Sequence, residues 1–478
     1  MTQKMPSVFT KGDNNLSSQT YVNPISFKAL YFKDKLTIVE KNEIKTLIDN
    51  YKENNEKIEL LGKGTFGTVY KIKLKNKGEI AVKILSPENK EKLYGGGNLD
   101  KESEILKNIP ASCKRTQQLI EYFESNKKSY LASSIVKGKP LGYQNNISQK
   151  LMDNIVDELY KYDSNNLMFY DLNINNILID KDKDEAGFID FEFMEFKNQK
   201  QINTDAFNDI HHIGRNFFHP QKSNINSFEN RSLGKFIIDI EKREGEKEAE
   251  KFVEKYLKSL SKYHRKNAIL YKKLQNTPQS NISDSAIKYE TILSKIYEKP
   301  PTKIKHIEKE LITLRYTTLN YHLYCHRKNE GKLIEGDIET YGNFDNYIKD
   351  MNKSANNILK ELNEISSQNI NNQDIQLYAR VNKFYIENFL SKNANKNYYE
   401  LRGNSKINKH LEKVAKSIIA NYNNMKKDST LDSVINDFNK EYNSIKRMHK
   451  DNTNVQNFCN DIKFVLDNTL DFIKKEQI

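Results

Sequence analysis

The chain has 478 residues, and its 77 Lys and Arg residues outnumber its 64 Asp and Glu residues, which gives a formal net charge of +13 at pH 7. This length predicts two or three domains, each able to bury its own core. No apolar run approaches the roughly 20 residues of a membrane-spanning helix, and the N-terminus lacks the apolar core of a signal peptide. We therefore expect a soluble protein that is not exported by a cleaved signal. The three cysteines are odd in number and widely spaced, which argues against a disulfide scaffold and favours a reducing compartment.

The positive charge favours anionic partners, such as nucleotides, inositol phosphates, acidic lipid surfaces or nucleic acid. Most of the lysines, however, alternate with glutamates in segments of helical spacing. Because exposed charge usually serves solubility, we interpret most of it as a solvated surface.

The N-terminal half is predicted to alternate helices and strands. Residues 1–30 show no sustained period and are predicted to form a flexible leader, and apolar residues at near-helical spacing predict a helix over 36–51. Two alternating strands around a glycine-rich turn are predicted over 58–74. The further elements are predicted in this order: a strand at 80–85, a short helix within 98–109, strands at 119–123 and 129–136, a helix at 147–161, and two strands around a polar loop at 169–180.

The C-terminal half is predicted to be almost entirely helical. A buried helix is predicted to begin in 206–218, and breaks in the pattern are predicted at 274–285 and 298–303. Ser429 is predicted to cap a helix near the end of the chain. Three amphipathic stripes, at 411–422, 431–442 and 455–466, predict an antiparallel bundle.

Groups suited to phosphoryl transfer follow the helix at 147–161. The polar loop carries Asp171 and Asn176, and the segment FIDFEF shortly after it carries Asp190. Two carboxylates and an amide are what this chemistry requires, since one group orients a hydroxyl and two hold magnesium. Upstream, GKGTFGTVY lies between two strands and is followed by AVK, which contains Lys83. Because this glycine-rich turn does not open a helix, the dinucleotide-binding form of the motif does not fit.

With these motifs in this order, the chain resembles the protein-kinase superfamily over about residues 57–220. The resemblance implies an ATP site formed by the glycine-rich loop (Gly62, Gly64 and Gly67), the adenine-contacting Val69, the phosphate-binding Lys83, its partner Glu102, and a hinge from Ser134 to Val136. Glu104, in the same helical segment ESEILKNI, remains an alternative to Glu102.

The resemblance also implies the roles of the catalytic residues. Asp171 matches the aspartate that orients the attacking hydroxyl and accepts its proton, and Asn176 and Asp190 match the two ligands of Mg²⁺. Asp209 and Gly214, in DIHHIG, resemble the aspartate and glycine that brace the catalytic loop from below.

Several positions depart from the family pattern. Phe169 and Tyr170 replace the histidine and arginine before the catalytic aspartate, so activation through an arginine that binds a phosphorylated loop is not expected. Asn173 replaces a lysine that contacts the transferring phosphoryl group, and Glu192 stands where the DFG glycine belongs. No APE motif precedes Asp209, so we expect a short or missing peptide-positioning segment.

Three functions therefore stay open. The complete glycine loop and AVK strand favour a Ser/Thr protein kinase, and the mixture of features is similar to atypical kinases that intracellular bacteria secrete as effectors. The DFE motif and the short following segment resemble choline kinases and aminoglycoside phosphotransferases, which act on small hydroxyl compounds. A pseudokinase scaffold is the third alternative, although Lys83, Asp171, Asn176 and Asp190 are all present.

Other clusters are weaker signals. His322, Cys325 and His326 have the helical spacing of metal ligands, but a structural zinc site requires a fourth ligand, which the sequence does not suggest. The basic groups at 263–266 and 326–328 suit phosphates, yet such groups are more often solvated. No nucleic-acid-binding motif is present, so no nucleic acid partner is expected.

These observations predict an α+β protein of three parts. A leader and helix occupy 1–50, a two-lobed kinase-like domain occupies 51–275 with its lobes meeting near 140, and a helical domain occupies 285–478. We expect ATP and Mg²⁺ as cofactors and a protein as substrate, with an anionic lipid or inositol phosphate bound by the basic helical tail. The expected location is a bacterial cytoplasm, a host-cell cytosol or the surface of a membrane.

Overall fold

A computed structural model of the protein describes residues 35–52, 56–63, 67–85, 99–144, 146–169, 172–196, 223–275, 284–329, 331, 344–393 and most of 411–474. Its first helix is α1 (Ile38–Asp49), as the apolar spacing predicts. A capping box fixes the start of this helix, because the Thr37 hydroxyl accepts the Glu40 N–H while the Glu40 carboxylate accepts the Thr37 N–H. Ile44 and Leu47 are buried and direct α1 toward the sheet that follows.

Five antiparallel strands form the sheet of the N-terminal half. Their bounds are Ile58–Lys63 (β1), Thr68–Leu74 (β2), Gly78–Leu85 (β3), Leu119–Ser125 (β4) and Lys128–Ser134 (β5), and their order in space is β1-β2-β3-β5-β4. Helix α2 (Leu99–Asn108) comes between β3 and β4 in the chain. Asn126 and Lys127, both with positive φ, connect β4 to β5 in a tight hairpin. Every strand predicted from sequence in this half is present.

Short strands surround the next helix and bring two loops together. Their bounds are Lys139–Pro140 (β6), Leu167–Phe169 (β7), Ile177–Asp180 (β8), Glu185–Phe188 (β9) and Met194–Phe196 (β10), and helix α3 (Gln149–Ser164) precedes β7. Strands β6, β8 and β9 form one sheet, and β7 pairs with β10. In the β8–β9 hairpin, Ile177 lies opposite Phe188. The residues just before β8 and just after β9 therefore lie side by side.

Nearly all of the described chain beyond residue 223 is helical. The elements are Asn224–Phe228 (α4), a π-helical turn at Glu229–Leu233, Gly234–Glu244 (α5), Glu246–Gln275 (α6), Asp284–Glu298 (α7), Thr302–Asn329 (α8), Phe344–Gln368 (α9), Gln373–Asn393 (α10), Tyr422–Lys427 (α11) and Leu431–Met448 (α12). An antiparallel sheet followed by helices confirms the predicted α+β class. Among the described helices, none combines the length and the apolar character needed to cross a membrane.

One continuous hydrophobic core connects the sheet to the C-terminal helices. Its buried members extend from Leu85 at the end of β3 through Phe191 to the helices near the end of the chain. Helices α6 and α7, on either side of the predicted break at 274–285, pack along each other, and the Ser261 hydroxyl donates to the backbone oxygen of Ser294 at 2.6 Å. The division into two domains stays a prediction, and the two parts share this core.

The predicted cap at Ser429 is wrong. Ser429 has φ of 57°, and helix α12 has Thr430 as its N-terminal flanking residue with no side-chain cap. The amides of Ser429 and Thr430 donate instead to the carbonyls of Lys426 and Met425. This pattern is a Schellman motif, in which the residue after the helix adopts a left-handed conformation. Ser429 therefore terminates α11 and does not begin α12.

Candidate functional site

A largely buried lysine joins three carboxylates in the predicted site. The ammonium nitrogen of Lys83, on β3, lies 3.0 Å from Oε2 of Glu102 on α2. The same nitrogen lies 2.6 Å from Oδ1 of Asp190 and 3.3 Å from Oε2 of Glu192. Val69 is the register partner of Lys83 in the β2–β3 pair. Four residues predicted from the resemblance thus lie together, and Glu192 joins them.

The structure distinguishes the two candidate glutamates of α2. Glu102 has no exposed surface and contacts Lys83, whereas Glu104 is exposed. Positions two residues apart in an α-helix point in nearly opposite directions, so only one of them can face the sheet. Glu102 also accepts the N–H of Phe191 through Oε1 at 3.2 Å, which ties the helix to the segment after Asp190.

The charges of this cluster are unbalanced. Burial by itself lowers the pKa of the Lys83 ammonium group, but Glu102, Asp190 and Glu192 outweigh burial and raise its pKa above its usual range, so Lys83 stays protonated. Burial raises the pKa of the Glu192 carboxyl, and the charge of Lys83 opposes that effect. Among the described residues, Lys83 is the cation that forms ion pairs with these three carboxylates. One cation facing three acids favours the binding of further positive charge.

The acidic groups fit a divalent cation. Oxygen atoms of Glu102, Asp190 and Glu192 all lie within 4.8 Å of one another. Carboxylate and amide oxygens are the ligands that Mg²⁺ takes in proteins, usually together with substrate phosphates and water. Asp190, the most exposed of the three, therefore offers a donor that suits the Mg²⁺ that the resemblance implies, while Glu102 and Glu192 are buried against Lys83.

The two predicted metal ligands are held next to each other by the backbone. The carbonyl of Asn176 accepts the N–H of Ile189 at 3.0 Å, and the N–H of Asn176 donates to the carbonyl of Asn173 at 3.0 Å. The side chain of Asn176 is buried, while that of Asp190 is 41% exposed. Asp190 has φ of 65°, a left-handed conformation that is uncommon for residues other than glycine. The loop before β8 and the segment after β9 thus form one surface.

An aromatic stack supports the segment that follows Asp190. The ring of Phe191 stacks on Phe169 with 5.1 Å between centroids, and Tyr162 meets Phe191 edge-on at 6.2 Å. None of these three side chains has exposed surface. Phe169, which replaces a histidine of the family pattern, therefore occupies an apolar environment, and a phenylalanine suits it because it requires no hydrogen-bond partner.

The remaining predicted nucleotide-binding positions that the structure describes lie on the sheet and on the segments that adjoin its strands. An ideal Cβ on Gly67 meets the backbone oxygen of Ile84 at 2.5 Å, so this glycine permits the close approach of β2 and β3, whereas Gly62 has open space around it. Ser134 ends β5 and exchanges hydrogen bonds with Gln118, with its hydroxyl accepting the Gln118 N–H at 2.8 Å. Val136 packs against Gly187 of β9. A Cβ placed on Gly187 would lie 2.2 Å from Cγ1 of Val136.

Several predicted residues lie outside the described residues. They are Gly64 of the glycine-rich loop, Tyr170 and Asp171 of the catalytic loop, and Asp209 and Gly214. The side chains of the histidine and cysteine group at 322–326 also lie outside what the structure describes.

Residues that sequence reasoning missed hold the backbone on both sides of the predicted base. The Asn224 side chain accepts the Phe169 N–H at 2.8 Å, and the Ser227 hydroxyl donates to the Phe169 carbonyl at 3.0 Å. The Ser232 hydroxyl donates to the Leu172 carbonyl at 3.0 Å. An Asn at the start of a helix is a recognisable sequence signal. Its contact with a loop more than 50 positions earlier has no such signal.

The basic group at 263–266 is already paired within the fold. Lys262, beside it, pairs with Asp153 at 2.5 Å, and Lys266 pairs with Asp157 at 2.5 Å. Lys266 also lies over the ring of Tyr160, 4.9 Å from its centroid. These contacts join α3 to α6 and give the lysines a structural role.

Comparison with known proteins identifies the same region. Residues 55–212 match the family model described as the protein kinase domain, which is about a third of the chain. No match was found among curated proteins. The matched region contains Lys83, Glu102, Asn176, Asp190 and Glu192. The residues from position 224 onward that bond to the predicted catalytic loop lie beyond it. Residues 55–212 are therefore similar to protein kinase domains, and the similarity of this region supports a phosphotransferase activity.

Proposed function

We propose that the protein transfers the γ-phosphoryl group of ATP to serine or threonine residues of a protein, in a reaction that requires Mg²⁺. The observation that carries this proposal is the contact of Lys83 with both Glu102 and Asp190, at 3.0 and 2.6 Å, within the region that matches the protein kinase domain. A lysine held by a helix glutamate and placed next to a metal-binding aspartate suits the binding of nucleotide phosphates.

Each residue has a specific task in this proposal. Lys83 binds the α- and β-phosphates and is oriented by Glu102, while Asn176 and Asp190 would hold the metal. Mg²⁺, when bound, neutralises the negative charge of the transferring group. Asp171, by its position in the sequence, orients the acceptor hydroxyl and takes its proton. In this scheme no residue takes over the role of the family lysine that Asn173 replaces. Lys83 supplies positive charge, and a bound metal would add to it.

The acceptor and the setting rest on the resemblance. The complete glycine-rich loop and AVK strand favour a protein acceptor, and the mixture of family features favours a bacterial effector that acts inside a host cell. The formal charge of +13 supports an anionic lipid or inositol phosphate as a partner of the helical tail.

A phosphate-transfer assay tests this proposal. The full chain is incubated with Mg²⁺ and radiolabelled ATP, alone or with histone as a generic basic acceptor, and Asp190→Ala serves as the inactive control. Label on the chain or on histone, absent from Asp190→Ala, is the expected result. Consumption of ATP only in the presence of choline or an aminoglycoside would establish the small-molecule alternative. Absence of both reactions, with ATP binding retained, would establish a pseudokinase and overturn the proposal.

A further inference from the structure

The catalytic loop is held by the helical segment that follows the kinase-like region. Asn224 and Ser227 contact the backbone N–H and carbonyl of Phe169, and Ser232 contacts the carbonyl of Leu172. All three side chains are buried, so solvent does not compete for these bonds. Only positions 170 and 171 separate the two backbone points. The segment therefore holds the loop immediately before and after the predicted base.

A π-helical turn brings Ser227 and Ser232 to the same loop. These serines are five positions apart, and in an α-helix such positions point about 140° away from each other. The turn at Glu229–Leu233 closes its hydrogen bonds from i to i+5, which widens the helix and brings residues five apart closer to one face. Phe228 and Gly234 on either side remain in the right-handed helical region, so the turn is an insertion within one helical segment.

A largely buried ion pair connects this π-helical turn to helix α8. One oxygen of the Glu229 carboxylate lies 2.8 Å from Nη1 of Arg315, and the other accepts the Tyr256 hydroxyl at 2.8 Å. The guanidinium also lies over the ring of Tyr385 on α10, 5.6 Å from its centroid. A buried charge is tolerated when it is paired and hydrogen-bonded. The Glu229 carboxylate has an ion-pair partner, Arg315 of α8, and a hydrogen-bond donor, Tyr256 of α6.

Helix α8 also closely approaches Gly234, the first residue of α5, directly after the π-helical turn. An ideal Cβ on Gly234 meets Cβ of Tyr316 at 2.3 Å and the backbone oxygen of Ile312 at 3.0 Å. The absence of a side chain at Gly234 thus allows the backbones of α5 and α8 to lie close together, next to the ion pair of Arg315 with Glu229.

From these contacts we propose that Arg315 of α8 is a positioning residue for the catalytic loop, acting through Glu229 and Ser232. The C-terminal helices set the position of the loop because the π-helical turn lies between α8 and the loop and contacts both. This inference rests on the proposed phosphotransfer for its catalytic consequence, while the placement of the loop is measurable without it. It gives residues outside the kinase-domain match a role in the reaction.

The test compares four variants of the full chain, of which the fourth, Arg315→Lys, keeps the charge of Arg315. Ser232→Ala removes the direct bond to the loop, and Glu229→Gln with Arg315→Met removes both charges of the ion pair, so that neither partner is left charged without the other. Ser261→Ala is the matched control, because Ser261 is equally buried and its hydroxyl also donates to a backbone carbonyl, that of Ser294. Thermal unfolding is recorded for each variant to show that it folds.

Hydrogen exchange of the peptide that spans 167–176 is the first measurement. We expect exchange to be about 5- to 10-fold faster in Ser232→Ala and in the double variant than in wild type or Ser261→Ala. The second measurement is self-labelling from radiolabelled ATP, for which kcat should fall about 10- to 100-fold while KM for ATP stays unchanged. Arg315→Lys alone keeps the positive charge opposite Glu229. Its kcat should therefore fall less than that of Glu229→Gln with Arg315→Met.

The outcomes separate this inference from the proposed function. Exchange in 167–176 that is no faster than in Ser261→Ala would overturn the inference, whatever the activity. Faster exchange with unchanged kcat would overturn the positioning role in the reaction. Absence of labelling by wild type would contradict the proposed function, and the exchange measurement would still decide whether α8 positions the loop.

Discussion

The amide of Ile189 donates a hydrogen bond to the carbonyl of Asn176, 3.0 Å away, and this contact fixes the backbone on one side of Asp190. On the other side, the amide of Phe191 donates to the buried carboxylate of Glu102 at 3.2 Å. Asp190 between them has φ of 65°. A residue persists in such a sparsely populated conformation when its surroundings determine it, as these two bonds do. The backbone thus holds the Asp190 side chain beside both Asn176 and Lys83.

This constraint predicts how Asp190 tolerates substitution. Asn adopts left-handed φ more readily than other residues with a Cβ, so Asp190→Asn should fold normally while it removes the carboxylate charge. We expect phosphate transfer to fall by about 100-fold or more, because electrostatic stabilisation of the transferring group is lost. Mn²⁺ binding in the presence of a non-hydrolysable ATP analogue, followed by electron paramagnetic resonance, should also weaken.

Asp184→Asn is the matched control for this substitution. Asp184 also has positive φ, 53°, and its carboxylate accepts the hydroxyl of Ser148, away from Lys83. It should keep both activity and Mn²⁺ binding. Normal Mn²⁺ binding by Asp190→Asn would show that the negative charge of Asp190 does not contribute to metal binding.

Two glycines of the glycine-rich loop should differ in how much they contribute to stability. In Gly67→Ala the new Cβ would lie 2.5 Å from the backbone oxygen of Ile84, which cannot move without disturbing β3. We expect a loss of about 1–3 kcal/mol in the free energy of unfolding, the usual cost of overpacking. Gly62→Ala has open space and should keep its stability. Urea denaturation of the two variants measures this difference, and equal stabilities would show that the contact at Gly67 does not constrain the fold.

Local motifs were enough to predict that Lys83, a glutamate of α2 and Asp190 lie close together. The glycines, Lys83 and the Asp171 to Asn176 spacing are short patterns with a fixed relation to strands and loops, and the helical spacing in α2 limited the partner of Lys83 to Glu102 or Glu104. Choosing between the two required the structure, because burial depends on how the helix rotates against the sheet. The register of β2 and β3 then places Lys83 as the motif implies.

The contacts of Asn224 and Arg315 were beyond the reach of sequence patterns. They join residues 55 and 86 positions apart, and their existence depends on how separate helices pack. The π-helical turn is also invisible in the apolar spacing, since it inserts one residue without breaking the helix. Ser429 shows the converse case, because a residue typical of helix starts closes the preceding helix instead.

A buried carboxyl group predicts how stability depends on pH. Glu308 on α8 is buried and accepts hydroxyl hydrogens from Tyr297 at 2.6 Å and Tyr378 at 2.7 Å. Burial raises its pKa above the usual value of 4.5, and the charge of Arg315 opposes this effect only partly. The folded state therefore binds the proton more tightly than the unfolded chain, so this contribution to stability is complete below the unfolded pKa and is lost as the pH rises through the folded pKa.

Glu308→Gln removes this titration and provides the comparison. The free energy of unfolding of wild type, relative to Glu308→Gln, should increase as the pH is lowered from about 7.5 to about 5. Urea denaturation at several pH values measures the difference. A difference that stays constant with pH would show that Glu308 titrates at the same pH in both states.

The shared core predicts that the kinase-like region does not fold by itself. Buried residues of α6 pack against α7, and the π-helical turn packs against α8, so a fragment ending at residue 280 would expose apolar surface that is buried in the full chain. We expect the fragment 1–280 to aggregate or to unfold without a cooperative transition, because exposed apolar surface drives association. In contrast, a protease site inserted between residues 279 and 280 should yield two pieces that co-elute after cleavage, since their contacts are intact. A soluble 1–280 fragment that unfolds cooperatively and binds ATP like the full chain would contradict this prediction and would establish the predicted boundary at 275–285 as a true domain boundary.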